Sequence, residues 1–257
     1  MIPDFTPTAD DYVTHRQPFP AELFRRLSSF GLGLPGQRIL DVGSGTQLFA
    51  SSLRERCCDV IATDISRALL MASPQNSSAS VVARAEHLPF NESTFDAVTA
   101  AQCWHWFDRR LAPTQIHRIL RPDGLLAVIY QMYVPWPESV AAATEQLILR
   151  YRPGWRHANS AGINGQVLRD MQTHGFAGIE SFSFDIGESF SRDQWRGFIR
   201  TTSAVGGSLP PERLAQFDRD HAEVLRNWPE ILQIPHRIFT AIARKPSSRL
   251  QSHLRID

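Results

Sequence analysis

The sequence predicts an α/β fold: a mostly parallel, seven-stranded sheet with helices on both faces. Three observations carry this prediction. Between residues 37 and 130 short apolar runs alternate with helical stretches, a Gly-x-Gly turn follows the first run, and a Pro-Asp-Gly turn precedes the fifth. Such alternation is the pattern of βαβ units around a parallel sheet.

Taken in order, Ile39–Val42, Val60–Thr63, Val81–Ala83, Phe95–Ala101 and Leu125–Tyr130 read as strands one to five. Leu48–Arg56 and Arg67–Ala72 fit amphipathic helices after the first two strands, and Arg110–Leu120 fits the helix before the fifth. Pro122-Asp123-Gly124 ends that helix and opens the fifth strand. Ile179–Phe184 and Ile238–Ala243 are expected to complete the sheet as an antiparallel pair. Around them Glu138–Arg150, Ser191–Thr201 and Pro210–Trp228 read as helices, the last opened by Pro210-Pro211. The expectation is a single domain, with a core of about 35–133, 176–187 and 236–245 and a helical cap of 134–175 and 188–235 inserted after strands five and six. The tail after Lys245 reads as a frayed end.

The chain has 257 residues, of which 42% are hydrophobic, enough for a real core. Its formal net charge is +1 and its arginines are dispersed, which argues against binding nucleic acid by bulk electrostatics. The first dozen residues carry Asp4, Asp10 and Asp11 and no apolar stretch of signal type, and the longest apolar run, Leu125–Tyr130, is too short to span a bilayer. A soluble cytoplasmic protein without membrane partners, monomeric or homodimeric, is expected. Cys57, Cys58 and Cys103 are an odd count without a C-x-x-C, so reduced thiols are expected. The histidines are scattered with no ligand spacing, and no metal is expected.

The chemistry concentrates in Ile39-Leu40-Asp41-Val42-Gly43-Ser44-Gly45-Thr46, an apolar strand, a glycine turn and the start of a helix. Glycines allow backbone amides close to a ligand, and the amino end of a helix favours negative charge. Asp41 precedes the turn, and Asp64 closes the next strand 64 − 45 = 19 positions after Gly45. That distance suits a carboxylate gripping the hydroxyls of an adenosyl ribose on a Rossmann-like sheet.

The turn Asp41–Thr46, followed by Ala62-Thr63-Asp64-Ile65-Ser66, Ala85-Glu86-His87-Leu88-Pro89-Phe90, Phe95–Val98 and Leu120–Gly124, resembles a class I S-adenosylmethionine-dependent methyltransferase of the small-molecule type 11 group. The resemblance covers about residues 35–130, and Ala101–Asp108 is similar to the subgroup that includes trans-aconitate methyltransferase. It implies S-adenosylmethionine as cofactor and a small-molecule acceptor. It also implies roles: Gly43, Ser44 and Gly45 under the methionine part, Asp41 near its amino group, Asp64 on the ribose, Ile65 on the adenine, Ala85 and Glu86 at the adenine edge, and Gln102 and Cys103 beside the methionine. Arg16 resembles a pairing partner for the cofactor's carboxylate, in an amino-terminal segment with Tyr12 and His15 that closes over the cofactor in relatives. The family's usual third glycine is Gln47 here, and its side chain would either crowd the cofactor or hydrogen-bond to it or to the substrate.

Beyond the core motifs, His105 between Trp104 and Trp106 could be a general base, a substrate contact or a packed histidine. Tyr12, Trp104, Tyr130 and Trp136 are expected at the acceptor, and the later aromatics either line a lid or pack helices. Arg150, Arg152, Arg156, Arg196 and Arg200 could recognise a carboxylate or be solvated. Competing functions are a nicotinamide-dependent oxidoreductase, a non-catalytic cofactor sensor, and other chemistry on the same cofactor such as cyclisation of its aminobutyryl arm.

Overall fold

A computed structural model describes Asp11 and residues 14–72 and 79–247. In chain order the elements are α1 (Ala21–Ser29), β1 (Arg38–Val42), α2 (Leu48–Arg54), β2 (Asp59–Asp64), α3 (Arg67–Met71), β3 (Ser80–Val82), β4 (Phe95–Ala101), α4 (Leu111–Ile119), β5 (Leu120–Tyr133), α5 (Val140–Tyr151), α6 (Gln166–Thr173), β6 (Ala177–Ser191), α7 (Arg192–Arg200), α8 (Pro211–Leu225) and β7 (Ile231–Arg244), with a 3₁₀ turn at Trp104–Trp106. The seven strands form one sheet in the order β3-β2-β1-β4-β5-β7-β6. The pairs β3–β2, β2–β1, β1–β4 and β4–β5 are parallel. The expected α/β, mostly parallel, seven-stranded sheet is therefore present.

By its internal contacts the chain divides into two compact units. The larger comprises Pro18–Tyr130, Asn164–Ser183 and the described residues from Phe239 on; the smaller comprises those up to Gln17, Gln131–Ile163 and Phe184–Ile238. The segment 164–175, expected in the cap, thus belongs with the larger unit, because Asp170 on α6 is bonded to Trp104 and Arg109.

In the larger unit β1 is buried at four of its five residues, as a central parallel strand must be when both faces are covered. Its register sets Asp41 opposite Ala62 of β2 and Thr99 of β4. Local signals fix the helix starts: the Ser66 hydroxyl accepts from Leu69 N at the head of α3, and the Asp108 carboxylate accepts from the amides of Arg110 and Leu111 ahead of α4. The Pro-Asp-Gly turn lies inside β5 rather than before it. Asp123 sits at φ 63°. Its N–H donates to Lys245 O while Lys245 N–H donates to Gly124 O, so two residues of β5 oppose one and form a β-bulge. Helix α1, unanticipated, buries Leu23, Phe24 and Leu27 and stacks Phe24 on Phe49 at 5.3 Å.

In the smaller unit α5, α7 and α8 pack with β6 and β7 around Phe190, Trp195, Phe198, Phe217 and Leu225. β6 and β7 are longer than expected, so 188–191 and 231–235 are strand rather than insertion. Ser191 opens α7 with a reciprocal capping box to Gln194, and Pro211 occupies the first turn of α8. Trp195 is fully buried and donates its indole N–H to Thr144 Oγ1 (3.0 Å). Tyr133, Tyr151, Trp155 and Trp228 pack against the same core, so these aromatics are packing residues rather than a lid.

Candidate functional site

The site is built in the larger unit where β1, β2 and β4 end. Asp41 is 1% exposed, and its Oδ1 accepts from Thr99 Oγ1 at 2.6 Å. Its Oδ2 and the Ser44 hydroxyl are buried at the turn, and apart from the pull of that hydroxyl on the carboxylate neither has another partner among the described residues. Burial raises the Asp41 carboxyl to about 6, against the opposing pull of its hydrogen bonds.

Asp64 closes the turn from the other side. Its Oδ2 accepts from Gly45 N and its Oδ1 from Ser66 N, each at 2.8 Å, while burial raises its pKa. Ile65, immediately after it, is 47% exposed, which fits a flat apolar surface offered to a ring. The two glycines of the turn meet different surroundings. A Cβ on Gly43 (φ 68°) would lie 2.7 Å from Cys103 Cβ and Sγ, whereas one on Gly45 (φ 54°) would meet nothing within 4 Å.

Gln47 departs from both expectations for it. It adopts φ 63°, the left-handed backbone that a glycine would supply at that place. Its side chain is 1% exposed and turned into the fold: Nε2 donates to Leu70 O (3.1 Å) and Oε1 accepts from Arg54 Nη1 (3.0 Å). It is a strut between α2 and the end of α3, with both hydrogen-bonding ends of its amide engaged inside the unit. Gln47→Gly should therefore leave the affinity for S-adenosylhomocysteine within about two-fold and lower stability by about 1 kcal/mol, as lost hydrogen bonds outweigh relieved strain. Calorimetry and thermal melts of the variant check both halves.

The loop after β4 is held at nearly every residue. Gln102, at φ 66°, donates its N–H to Ile129 O (2.8 Å). The Cys103 thiol donates to Val42 O at 3.0 Å, and burial keeps it protonated, so it is a wall and not a nucleophile. Trp104 is 2% exposed with its indole N–H on Asp170 Oδ2 (3.0 Å), which makes it a packed residue and not the acceptor contact expected of it. His105 is exposed, its ring 4.3 Å from that of Trp106 and 5.8 Å from that of Tyr130. Tyr130 is buried, accepts from Asn164 Nδ2 (3.0 Å), and has its pKa raised by burial, so its phenol stays neutral. Ala85 is buried and Glu86 accepts from Asp108 N at 2.8 Å. Beside them Arg84, His87, Trp106, Phe107 and Leu111 help line an open cleft of about 490 Å³.

The structure thus brings together Asp41, Gly43, Ser44, Gly45, Asp64 and Cys103. Arg16 lies in the smaller unit, where its guanidinium donates to Thr201 Oγ1 (2.9 Å) and sits 4.6 Å over the Phe198 ring. Trp136 is in the same unit and 49% exposed. Tyr12 lies outside the described residues. Arg196 and Arg200 are paired with Asp218, and Arg152 donates to Ser203 O and Ala204 O, so all three are structural. Sequence reasoning missed Thr99 and Asp170. Among the described residues no group of three His, Cys, Asp or Glu could hold a metal, and no helix is long and apolar enough to cross a membrane.

A family model described as a methyltransferase domain matches residues 40–128. An uncharacterized methyltransferase of Mycobacterium tuberculosis is 34% identical over 123 residues, 46% of this chain and 48% of that one, so the chain spans about half the length of this curated relative. The demethylmenaquinone methyltransferase of Mycolicibacterium paratuberculosis is 29% identical over 188 residues, 72% of this chain and 81% of that one. Among solved structures, phosphoethanolamine N-methyltransferase 2 of Haemonchus contortus, in complex with S-adenosylhomocysteine, aligns with a TM-score of 0.56 at 17% identity, over 94% of this chain and 58% of that one. At that identity the likeness speaks for the fold. The family match and the glycine turn fall on the stretch that forms β1 to β5, where residues 40–128 match a methyltransferase domain, and with the relatives they support a likeness to the class I S-adenosylmethionine-dependent methyltransferases.

Proposed function

We propose that the chain is a transferase that moves a methyl group from S-adenosylmethionine to an O, N or C nucleophile of a small molecule. Asp41 carries the reading: a fully buried carboxylate at a glycine turn, met among the described residues by no side-chain donor beyond the Thr99 and Ser44 hydroxyls. A buried carboxylate held by neutral hydroxyls alone is under-compensated, and a ligand's ammonium group is a donor that supplies the missing positive charge. Asp41 would hold the cofactor's amino group, and the Gly43–Gly45 backbone would run under its methionine part beside Gln102 and Cys103. Asp64 would take the ribose hydroxyls on lone pairs left over from the two amides, with Ile65 on the adenine face and Ala85 and Glu86 at its edge.

When bound, the sulfonium supplies a methyl group open to in-line displacement. The chain's own work is to fix the geometry and keep water out, which in oriented reactions is worth roughly 7–11 kcal/mol. His105, exposed with its ring near Trp106 and Tyr130, would touch the acceptor. With Gln47 turned inward, no observation favours a sensor or a degenerate site.

Titration calorimetry with S-adenosylhomocysteine, then mass spectrometry after incubating S-adenosylmethionine with candidate acceptors, tests the proposal. Binding together with acceptor-dependent demethylation is expected. Absence of binding overturns it, and a cyclised aminobutyryl product points to the alternative chemistry.

The raised Asp41 pKa gives a pH dependence. The ammonium needs the carboxylate form, so affinity for S-adenosylhomocysteine should be flat above pH about 6 and fall by up to about tenfold per unit below it. For the ligand-free protein the sign is opposite. A folded pKa above the unfolded value near 3.8 means that deprotonation opposes folding, so between pH 5 and 7.5 this group lowers stability by roughly 1 kcal/mol. Calorimetry and melts across that range check both.

A further inference from the structure

We infer that Asp170 on α6 is a positioning residue for the loop that faces the glycine turn, and that the cofactor site depends on it without being touched by it. The inference rests on the cofactor reading above.

Asp170 is 4% exposed, and its carboxylate gathers donors from both ends of that loop. Trp104 Nε1 donates to Oδ2 at 3.0 Å, and Arg109 donates with Nε and Nη2 to Oδ1 at 3.0 and 2.7 Å in a forked pair. Gln166 Nε2, one turn earlier on α6, donates to Oδ1 at 3.2 Å. A second tie lies just before the helix. Asn164 Nδ2 donates to the Tyr130 hydroxyl, which also takes a hydrogen bond from the His105 backbone. One short segment, 164–170, therefore holds Trp104, His105 and Arg109.

What is held matters for the turn. Cys103, next to Trp104, has its Cβ and Sγ 2.7 Å from where a Gly43 Cβ would stand, and Phe107 Cζ is 3.1 Å from the same point. The loop is thus the wall against which Gly43 is fitted. A shift at Trp104 moves Cys103, and with it the space above the turn. Side chains packed this closely respond to displacement by discrete rearrangement and not by smooth give. Asp170 is also a chemically specific choice: a planar carboxylate takes the arginine fork and the indole N–H together, and an amide, which brings two donors of its own, does not.

The test uses S-adenosylhomocysteine titrated into the whole chain at a temperature where every variant is folded by circular dichroism. Asp170→Asn should weaken binding at least about tenfold, and Trp104→Phe, which removes one donor, by about three- to fivefold. The double variant should be no worse than Asp170→Asn alone, because both act through one contact. Met171→Ala, a neighbouring α6 residue that is fully buried, should lower the melting temperature and leave affinity within about twofold. Unchanged affinity in Asp170→Asn, additive losses in the double variant, or an equal loss in Met171→Ala each overturn the inference. Failure of the unsubstituted protein to bind would instead overturn the cofactor reading itself.

Discussion

Asp64→Ala is expected to weaken S-adenosylhomocysteine binding by at least about 100-fold, roughly 3 kcal/mol. Two losses combine. The carboxylate accepts from Gly45 N and Ser66 N, so without it both amides lose a charged acceptor and the turn loses its clasp. Hydrogen bonds to charged groups are worth about 1.5–3 kcal/mol each, and the acceptor for the ribose hydroxyls goes as well. Asp64→Asn separates the two effects. It keeps the volume and one acceptor oxygen but turns an NH₂ toward one of those amides, so it should fall between the parent and the alanine variant. Calorimetry on all three orders them, and parent-like affinity in Asp64→Ala would sink the assignment of this edge to the cofactor.

Gly43→Ala should be the most destabilising single methyl added to the turn, by about 3 kcal/mol. Left-handed backbone costs a non-glycine residue about 1–2 kcal/mol, and overpacking against Cys103 adds a further 1–3 kcal/mol. A fall in melting temperature of roughly 6–12 °C follows for a chain of this size. Gly45→Ala carries only the backbone cost, since its Cβ would meet nothing within 4 Å. It should stay within about 1–2 kcal/mol of the parent yet lose ligand affinity, because the new methyl projects where a ligand would lie. Cys103→Gly in the Gly43→Ala background should recover the packing share and not the backbone share. Denaturant melts of the four proteins measure the split, and equal losses at both glycines would show that Cys103 does not press on the turn.

Strands were legible where their burial is a continuous run. β4 begins and ends where the sequence placed it, at Phe95 and Ala101, since a largely apolar stretch, broken only by Asp96 and Thr99 and bounded by Thr94 and Gln102, suits a central parallel strand. α6 was invisible for an equally physical reason. Its apolar stripe, Val167 and Met171, is interrupted by a buried Asp170 whose partners lie 61 and 66 positions away, and no local pattern announces them. Within the site, Asp41 and Asp64 could be read because strand ends put them beside the turn. The fate of Trp104 could not, because a tryptophan after a strand serves equally as wall or as anchor until its N–H finds a partner. Nor could sequence spacing separate Gly43 from Gly45, which differ only in what the loop after β4 brings near.

Gln47 has a consequence in the unfolded chain. A glycine at that position would be free to roam most of backbone space before folding, and ordering it would forfeit that freedom. Glutamine starts from a narrower ensemble, so less backbone entropy is lost when the turn forms, by about 0.4–1 kcal/mol on the scale of glycine replacements. The left-handed strain in the native turn is thereby offset partly before folding begins. What the third position of the turn demands is a backbone angle, and a residue with a side chain can meet it when that side chain is engaged elsewhere, as it is here by Leu70 and Arg54.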